Sequence, residues 1–292
     1  MGCPICKNKN ILFSQKIKDY EYDLKNTATY KQCNSCECIY RNSPNLLTKQ
    51  LEKKYYPKKK YLPIKGSFIY DILKTFYSFY EIKNIFKILD RKVLKKNLNI
   101  LDIACGKGYL IKSFSKDINL NCFGIDLNIS HYKKKNLRLI KSSFKNIKLI
   151  KKLKPNIIIM NNFIEHVESI KVIHKIILQM KKNSHLVIIT PDSDSIGRKV
   201  FKSFWSGYHS PRHKIIYNYK SIKKLIKNIS GIKFKIDKIY DPFSNIVSIK
   251  NIAKEISLKT FVNDIFRIII FVFFIFTDLF NKNRILLRIS RL

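Results

Sequence analysis

From Asn99 onward, short apolar runs alternate with stretches in which apolar residues recur every three or four positions. The runs at 99–104, 122–127, 137–141, 156–160, 185–190, 232–240 and 285–290 predict seven strands. The clearest helical pattern is FIEHVESIKVIHKIILQM, which sets Ile164, Val167, Ile173, Ile177 and Met180 on one face. Strands alternating with helices predict a parallel sheet covered on both faces. Earlier, Ile69, Ile72, Leu73, Phe76, Phe79, Tyr80, Phe86, Leu89 and Val93 predict one or two amphipathic helices reaching about Lys96. Residues 41–66 hold three prolines and a lysine run and read as a linker or short helix. No internal repeat is visible.

The first forty residues have a different texture. Five of the seven cysteines lie within residues 3–38, and two pairs share one spacing, Cys3-x-x-Cys6 and Cys33-x-x-Cys36. Each C-x-x-C turn offers two thiolates to one tetrahedral zinc, so two turns complete a closed four-sulfur shell. Such a shell leaves no open coordination position, which makes the expected zinc structural. ILFSQKIKDYEY and ATYKQC read as short strands between the knuckles, as in a zinc ribbon. Cys38 is expected to be a packed thiol, not a fifth ligand. The expected organisation is a zinc-ribbon-like module at 1–45, a linker at 46–66 and an α/β domain at 67–292.

Composition changes this picture little. Hydrophobic residues make up 46% of the 292-residue chain, enough for a real core. The formal net charge of +38 points superficially to nucleic acid or an anionic membrane. The lysines are spread along the whole chain, however, and accompany abundant Asn, Ile, Phe and Tyr, as AT-rich coding produces. Solvated faces and a functional basic surface both stay open. No secretory signal precedes the cysteines, so a cytoplasmic, reducing setting with free or metal-bound thiols is expected.

Glycine is scarce, with eight in the chain, yet LDIACGKGYL spends two on Gly106 and Gly108. They fall at the first strand-to-helix turn of the predicted sheet, beside the crevice where open α/β sheets bind ligands. A dinucleotide fold would want a third glycine where Ile111 stands, and has no use for Asp102 four residues before the first. A carboxylate there suits a ligand carrying an ammonium and a sulfonium. Asp126 ends the next predicted strand, where a carboxylate accepts both hydroxyls of a ribose. An adenosine-bearing cation is therefore expected against this turn.

These residues resemble motifs I and II of the class I S-adenosylmethionine-dependent methyltransferases, whose motif I usually reads D-x-G-x-G-x-G. The resemblance covers roughly 65–292. KPNIIIMNNFIEHVES is similar to the fourth-strand segment of that superfamily, and HLVIITPDSDSIGRKVFKSFWSGYHSPRHKIIYNYKSIKKLI to its fifth strand and following loop. YKQCNSCECIYRNSP resembles the zinc-ribbon module fused before many bacterial methyltransferases of this type. The resemblance implies a Rossmann-like seven-stranded sheet and S-adenosyl-L-methionine as cofactor. It implies that Asp102 orients the methionine amino group, that Gly106 and Gly108 admit the cofactor, and that Asp126, followed by Leu127, holds the ribose. Ser143 and Phe144 would lie near the adenine, and Asn161 and Asn162 would line the pocket. One departure is Ala104, which stands where the first motif glycine belongs.

Methyl transfer from a sulfonium is an in-line displacement helped chiefly by near-attack geometry. A base is needed only when the acceptor must lose a proton. His166, His209 and His213 are the candidates, and Arg212 could pair with an acidic acceptor; each has a plain structural alternative in capping or loop packing. Trp205 beside Gly207 suits either a lid or ordinary packing. The expected acceptor is a small molecule, a sugar or glycan, or a lipid-linked intermediate. The hydrophobic segment 261–280 has an uninterrupted apolar run too short to span a bilayer, and reads as a buried or interfacial helix able to touch a membrane peripherally. Two alternatives stay open: a zinc-ribbon RNA-binding methyltransferase, and an inactive homologue suggested by Ala104.

Overall fold

The computed structural model describes residues 2–22, 26–42, 54–55, 68–89, 97–167, 169–255 and 282–292. The expected helical insert at 261–280 and most of the expected linker lie outside these residues. The N-terminal region supplies β1 (Ile11–Lys18), β2 (Thr27–Cys33) and β3 (Ile39–Arg41). Then follow α1 (Phe68–Leu89), β4 (Leu98–Ile103), α2 (Tyr109–Phe114), β5 (Leu120–Asp126), β6 (Tyr132–Lys134), β7 (Leu137–Lys141), α3 (Ile147–Leu153) and β8 (Ile157–Asn161). After a 3₁₀ turn at Ile164–His166 come α4 (Ile170–Leu178), β9 (His185–Pro191), α5 (Ile196–Phe201), β10 (Ile215–Ile216), α6 (Tyr219–Ile226), β11 (Ile232–Ile239), α7 (Pro242–Glu255) and β12 (Arg284–Arg291).

Eight strands form the main sheet in the order β11-β12-β9-β8-β4-β5-β7-β6. β4 pairs in parallel with β5 on one side and β8 on the other, so the winding direction reverses at its carboxyl end. That reversal opens the crevice in which sheets of this kind bind ligands. β12 inserts antiparallel between β9 and β11. All seven expected strands are present. The eighth, β6, is a three-residue edge hairpin on β7 whose exposed residues carry no alternation to read.

The sheet buries both faces, which is why its strands read as continuous apolar runs. Along β4, Leu101 and Ile103 face one core with Ile173 and Ile177 of α4 and Leu225 of α6. Leu98 and Ile100 face the other, with Ile85 and Leu89 of α1 and Phe114 of α2. The single long helix expected over 163–180 is instead a 3₁₀ turn, a break around Val167, and α4. All five marked apolar residues are nonetheless buried. The inward face of α1 matches the expected one only in part: Leu89 is buried and Phe86 packs against the core, as expected. Phe76 and Phe79 are exposed, while Ser78, Glu81, Ile85 and Ile88 are buried, and Glu81 meets Asn161 of β8 and Arg284 of β12.

β1, β2 and β3 form a second sheet that does not end at the N-terminal region. β3 pairs with β10, so residues 215–216 complete it. A third core mixes Ile17, Tyr30 and Ile39 with Phe201, Trp205, Tyr208 and Ile216. Trp205 is 2% exposed, so it packs here as core.

Candidate active site

The β4–α2 turn places three left-handed residues within five positions: Ala104 at φ 59°, Gly106 at 55° and Gly108 at 76°. Gly108 is the N-cap of α2. A Cβ there would press Leu139 at 3.3 Å, whereas a Cβ on Gly106 would meet nothing within 4 Å. Gly106 therefore leaves open space on the cleft side of the turn. Its N–H donates to Asp126 Oδ2 at 3.0 Å, and the N–H of Asn128 donates to Oδ1 at 2.8 Å. Each oxygen of a carboxylate has room for a second donor. Burial pushes the Asp126 carboxyl above its usual range, while the two backbone bonds pull it back.

The cleft holds about 940 Å³. Of the residues expected at the site, Ala104, Gly106, Asp126, Leu127, Phe144, Asn162, His166, His209 and His213 line it together. Gly108, Ser143 and Asn161 are not among its lining residues; Ser142 takes the lining position beside Phe144. Asp102 lies beneath the floor at 2% exposure, and its Oδ1 has no hydrogen-bond partner. Burial raises its carboxyl well above the normal range, and the nearby carboxylates of Glu81 and Asp126 add to the effect.

Arg284, the first residue of β12, has no counterpart in the sequence reading. It is 2% exposed, and its guanidinium donates to Glu81 Oε1 at 3.0 Å, to Asn161 Oδ1 at 2.6 Å, to Asn162 Oδ1 at 2.7 Å and to the Tyr77 hydroxyl. Asn161 also donates to Glu81 at 2.9 Å. This web ties α1, β8 and β12 together, and Tyr77, Asn162 and Arg284 reach the cleft. Burial raises the Glu81 carboxyl while Arg284 holds it down. The one available signal was an arginine opening a strand in a chain dominated by lysine.

The histidines come from two elements. His166 closes the 3₁₀ turn after β8, whereas His209 and His213 lie in the loop before β10. The His166 and His213 rings meet edge to face at 4.6 Å. Burial lowers the basicity of both well below the ordinary value. His213 Nδ1 is 2.7 Å from the Gly207 carbonyl, and His166 Nδ1 is 3.3 Å from that of Arg212. A carbonyl only accepts, so each Nδ1 carries the proton and each Nε2 keeps a lone pair. Beside them sits Glu165, fully buried, which the sequence reading passed over. Its Oε2 accepts from Thr190 at 2.9 Å, and its Oε1 lies 3.9 Å from His213 Nε2 with no hydrogen bond. Burial pushes its carboxyl up to about 7.

The N-terminal region holds this loop. Glu21 accepts from Arg212 at 2.6 Å and meets His209 Nδ1 at 2.7 Å. The Tyr30 hydroxyl donates to the His213 carbonyl at 2.9 Å, and Arg212 also lies over the Tyr22 ring. Arg212, read as a partner for an acidic acceptor, thus already faces an acid from the protein itself.

The four expected metal thiols converge, with ligand atoms all within 4.8 Å of one another. Cys3 and Cys36 are 3.5 Å apart, and Cys6 and Cys33 3.4 Å. Sulfurs sharing a tetrahedral zinc at ~2.3 Å sit roughly 3.8 Å apart. The two knuckles are copies: Lys7 N–H donates to Cys3 O, Glu37 N–H donates to Cys33 O, and both donors are left-handed at φ 66° and 58°. Cys38 is buried, 3.5 Å from Cys3 and Cys36, outside the four-thiol group.

A sheet reversing at β4, a glycine-lined turn on the cleft and an acid closing the neighbouring strand define a class I S-adenosylmethionine-dependent methyltransferase. The family model described as a methyltransferase domain matches residues 73–230, more than half of the chain, and the chain belongs to that family. No curated protein sequence matches it. Among solved structures, the plantazolicin methyltransferase BamL, with a triazolic desmethylPZN analog and SAH, is 18% identical over 82% of this chain and 91% of that one, at a TM-score of 0.44. Phosphoethanolamine N-methyltransferase 2 of Haemonchus contortus, with S-adenosyl-L-methionine, is 15% identical over 68% and 49%, at 0.42. A SAM-dependent methyltransferase from Methanosarcina mazei is 11% identical over 69% and 95%, at 0.42.

Proposed function

We propose that the chain transfers a methyl group from S-adenosylmethionine to a small-molecule, sugar or lipid-linked acceptor bound in the same cleft. The observation that carries this reading is Asp126, fixed by two backbone N–H groups at the rim of an open glycine turn. Two features of the turn fit an adenosyl cation: the open space at Gly106 and the unpartnered, buried Oδ1 of Asp102. Bound there, the cofactor supplies an electrophilic methyl on a sulfonium.

Asp126 would accept the two ribose hydroxyls, with Leu127 beside it. Phe144 would offer its ring near the base, with Ser143 behind. Asp102, below the floor, would favour a cationic ammonium above it. Arg284 would keep Asn161 and Asn162 in place and so fix the wall nearest the methionine end. Ala104 already occupies the left-handed conformation the turn requires, which speaks against the inactive reading. His166 and His213, held neutral by burial with Nδ1 protonated, would promote loss of the proton from an acceptor hydroxyl, while His209 would help shape that wall. A cleft of about 940 Å³ lies at the upper end of small-ligand pockets and leaves room for an acceptor beside the donor.

The division into a module at 1–45 and a catalytic domain at 67–292 belongs to this proposal, as does one structural zinc on Cys3, Cys6, Cys33 and Cys36. Among the described residues, no helix is long and apolar enough to cross a membrane. Calorimetry with S-adenosylmethionine tests the donor site. Asp126→Ala is expected to weaken binding at least 100-fold, since hydrogen bonds to charged groups contribute ~1.5–3 kcal/mol each and two are lost. Equal affinity in both proteins would overturn the assignment.

A further inference from the structure

We propose that Glu165, His166 and His213 bind one divalent transition-metal ion on the acceptor side of the cleft, and that the acceptor presents an oxygen to it. The inference rests on the methyltransferase reading for the acceptor, but not for the metal. The three side chains offer ligand atoms within 4.8 Å of one another. Two imidazoles and one carboxylate, with positions left open, form a common site for such ions.

Second-sphere bonds already orient the ligands. His213 and His166 donate from Nδ1 to the carbonyls of Gly207 and Arg212, which presents Nε2 for coordination. Thr190 donates to Glu165 Oε2 and leaves Oε1, fully buried, with no hydrogen-bond partner. A buried carboxylate oxygen without a donor is costly, and a cation relieves that cost. His213 Nε2, at 3.9 Å from Oε1, stands across the gap an ion would fill. Ligands held at ~2.1 Å sit roughly 3–3.5 Å apart, so the trio must draw in by about an ångström. Two guanidiniums act on Glu165, and each is paired with an acid that offsets its repulsion of a cation: Arg284 with Glu81 at 3.0 Å and Arg212 with Glu21 at 2.6 Å.

His166 and His213 line the cleft and Glu165 lies behind them. The open coordination positions therefore face the acceptor, not the protein interior. A hydroxyl bound there becomes more acidic and loses its proton to solvent. The resulting oxygen forms the new O–CH₃ bond as the CH₃–S bond breaks, and that bond's electron pair stays on the departing sulfur. The site thus favours acceptors methylated on a hydroxyl or phenolic oxygen.

The test uses the full chain with its cysteine site preloaded with zinc, titrated with Mn²⁺ and followed by electron paramagnetic resonance of the free ion. Wild type is expected to bind one Mn²⁺, and so is the exposed-site control His131→Ala. Glu165→Gln, His166→Asn and His213→Ala are each expected to weaken that binding at least 10-fold. Near-UV circular dichroism identifies any variant that has not folded, and the nearly isosteric Glu165→Gln then decides. Absence of Mn²⁺ binding in wild type, or unchanged binding in folded variants, overturns the proposal. S-adenosylhomocysteine affinity is measured on the same samples. Its absence from wild type alongside intact Mn²⁺ binding would sink the donor-site reading and leave the metal standing.

Discussion

Ala104 holds a left-handed conformation at φ 59°, where an L side chain costs about 1 kcal/mol. Ala104→Gly is expected to raise unfolding free energy by ~0.5–1 kcal/mol in denaturant titrations and to leave donor affinity equal or tighter. Asp102 allows a sharper statement. Its carboxyl is raised well above the ordinary range by burial, so the free protein keeps it protonated past the pH at which an unfolded chain would ionise. A group with a raised folded-state value contributes less stability as pH climbs, so free-protein stability falls through that window. A bound cation reverses the preference, so binding releases a proton and donor affinity rises with pH up to the free-protein value. Calorimetry in buffers of different ionisation enthalpy measures that release. Asp102→Asn is expected to abolish it and to weaken binding about 10-fold. Gly106 and Asp126 were legible in the sequence because one strand-turn-helix unit and the next strand place them. Glu165 was not, because its partners His213 and Thr190 are distant in sequence and its own neighbours look like helix.

The same contrast holds for elements. Strands buried on both faces announce themselves as apolar runs, and all seven expected ones are present. Helix faces are less reliable guides. In α1 the aromatic positions Phe76 and Phe79 point outward while Glu81 faces inward to pair with Arg284 of β12 and Asn161 of β8. Arg284 demands that polar face, and no periodicity carries the information. α6 begins on a reciprocal cap: Asn218 accepts from the Ser221 N–H, and the Ser221 hydroxyl accepts from the Asn218 N–H. Both residues are fully buried, so water cannot replace the lost partner. Asn218→Ala is expected to destabilise the protein by ~1–2 kcal/mol in chemical denaturation. The cap follows β10 directly, so some loss of order in the 209–213 loop should accompany it.

At the scale of the molecule, the cysteine knuckles and the methyltransferase sheet share one apolar core, which includes Cys3, Cys33 and Cys36 as well as Leu101 and Ile188. Spacing alone had separated a module from a domain. What it could not reveal is that the module grips the loop bearing His209 and His213 through Glu21, Tyr30 and β3. Removing the proposed zinc by chelation is therefore expected to lower the melting temperature by several degrees and methyl transfer by about 10-fold. The proposed donor binding at Asp126, which is held by the Gly106 and Asn128 backbone and not by the N-terminal region, should change less than 3-fold; a larger loss would show that the module supports the whole cleft.

The pairing of β3 with β10 also sets a timetable for synthesis. Ile39 finds its partner in Ile216, which the ribosome adds 177 residues later. At ~5–20 residues per second that interval is roughly 10–35 seconds. Throughout it, the front of the nascent chain carries an unmatched strand edge and a metal-hungry cluster of thiols.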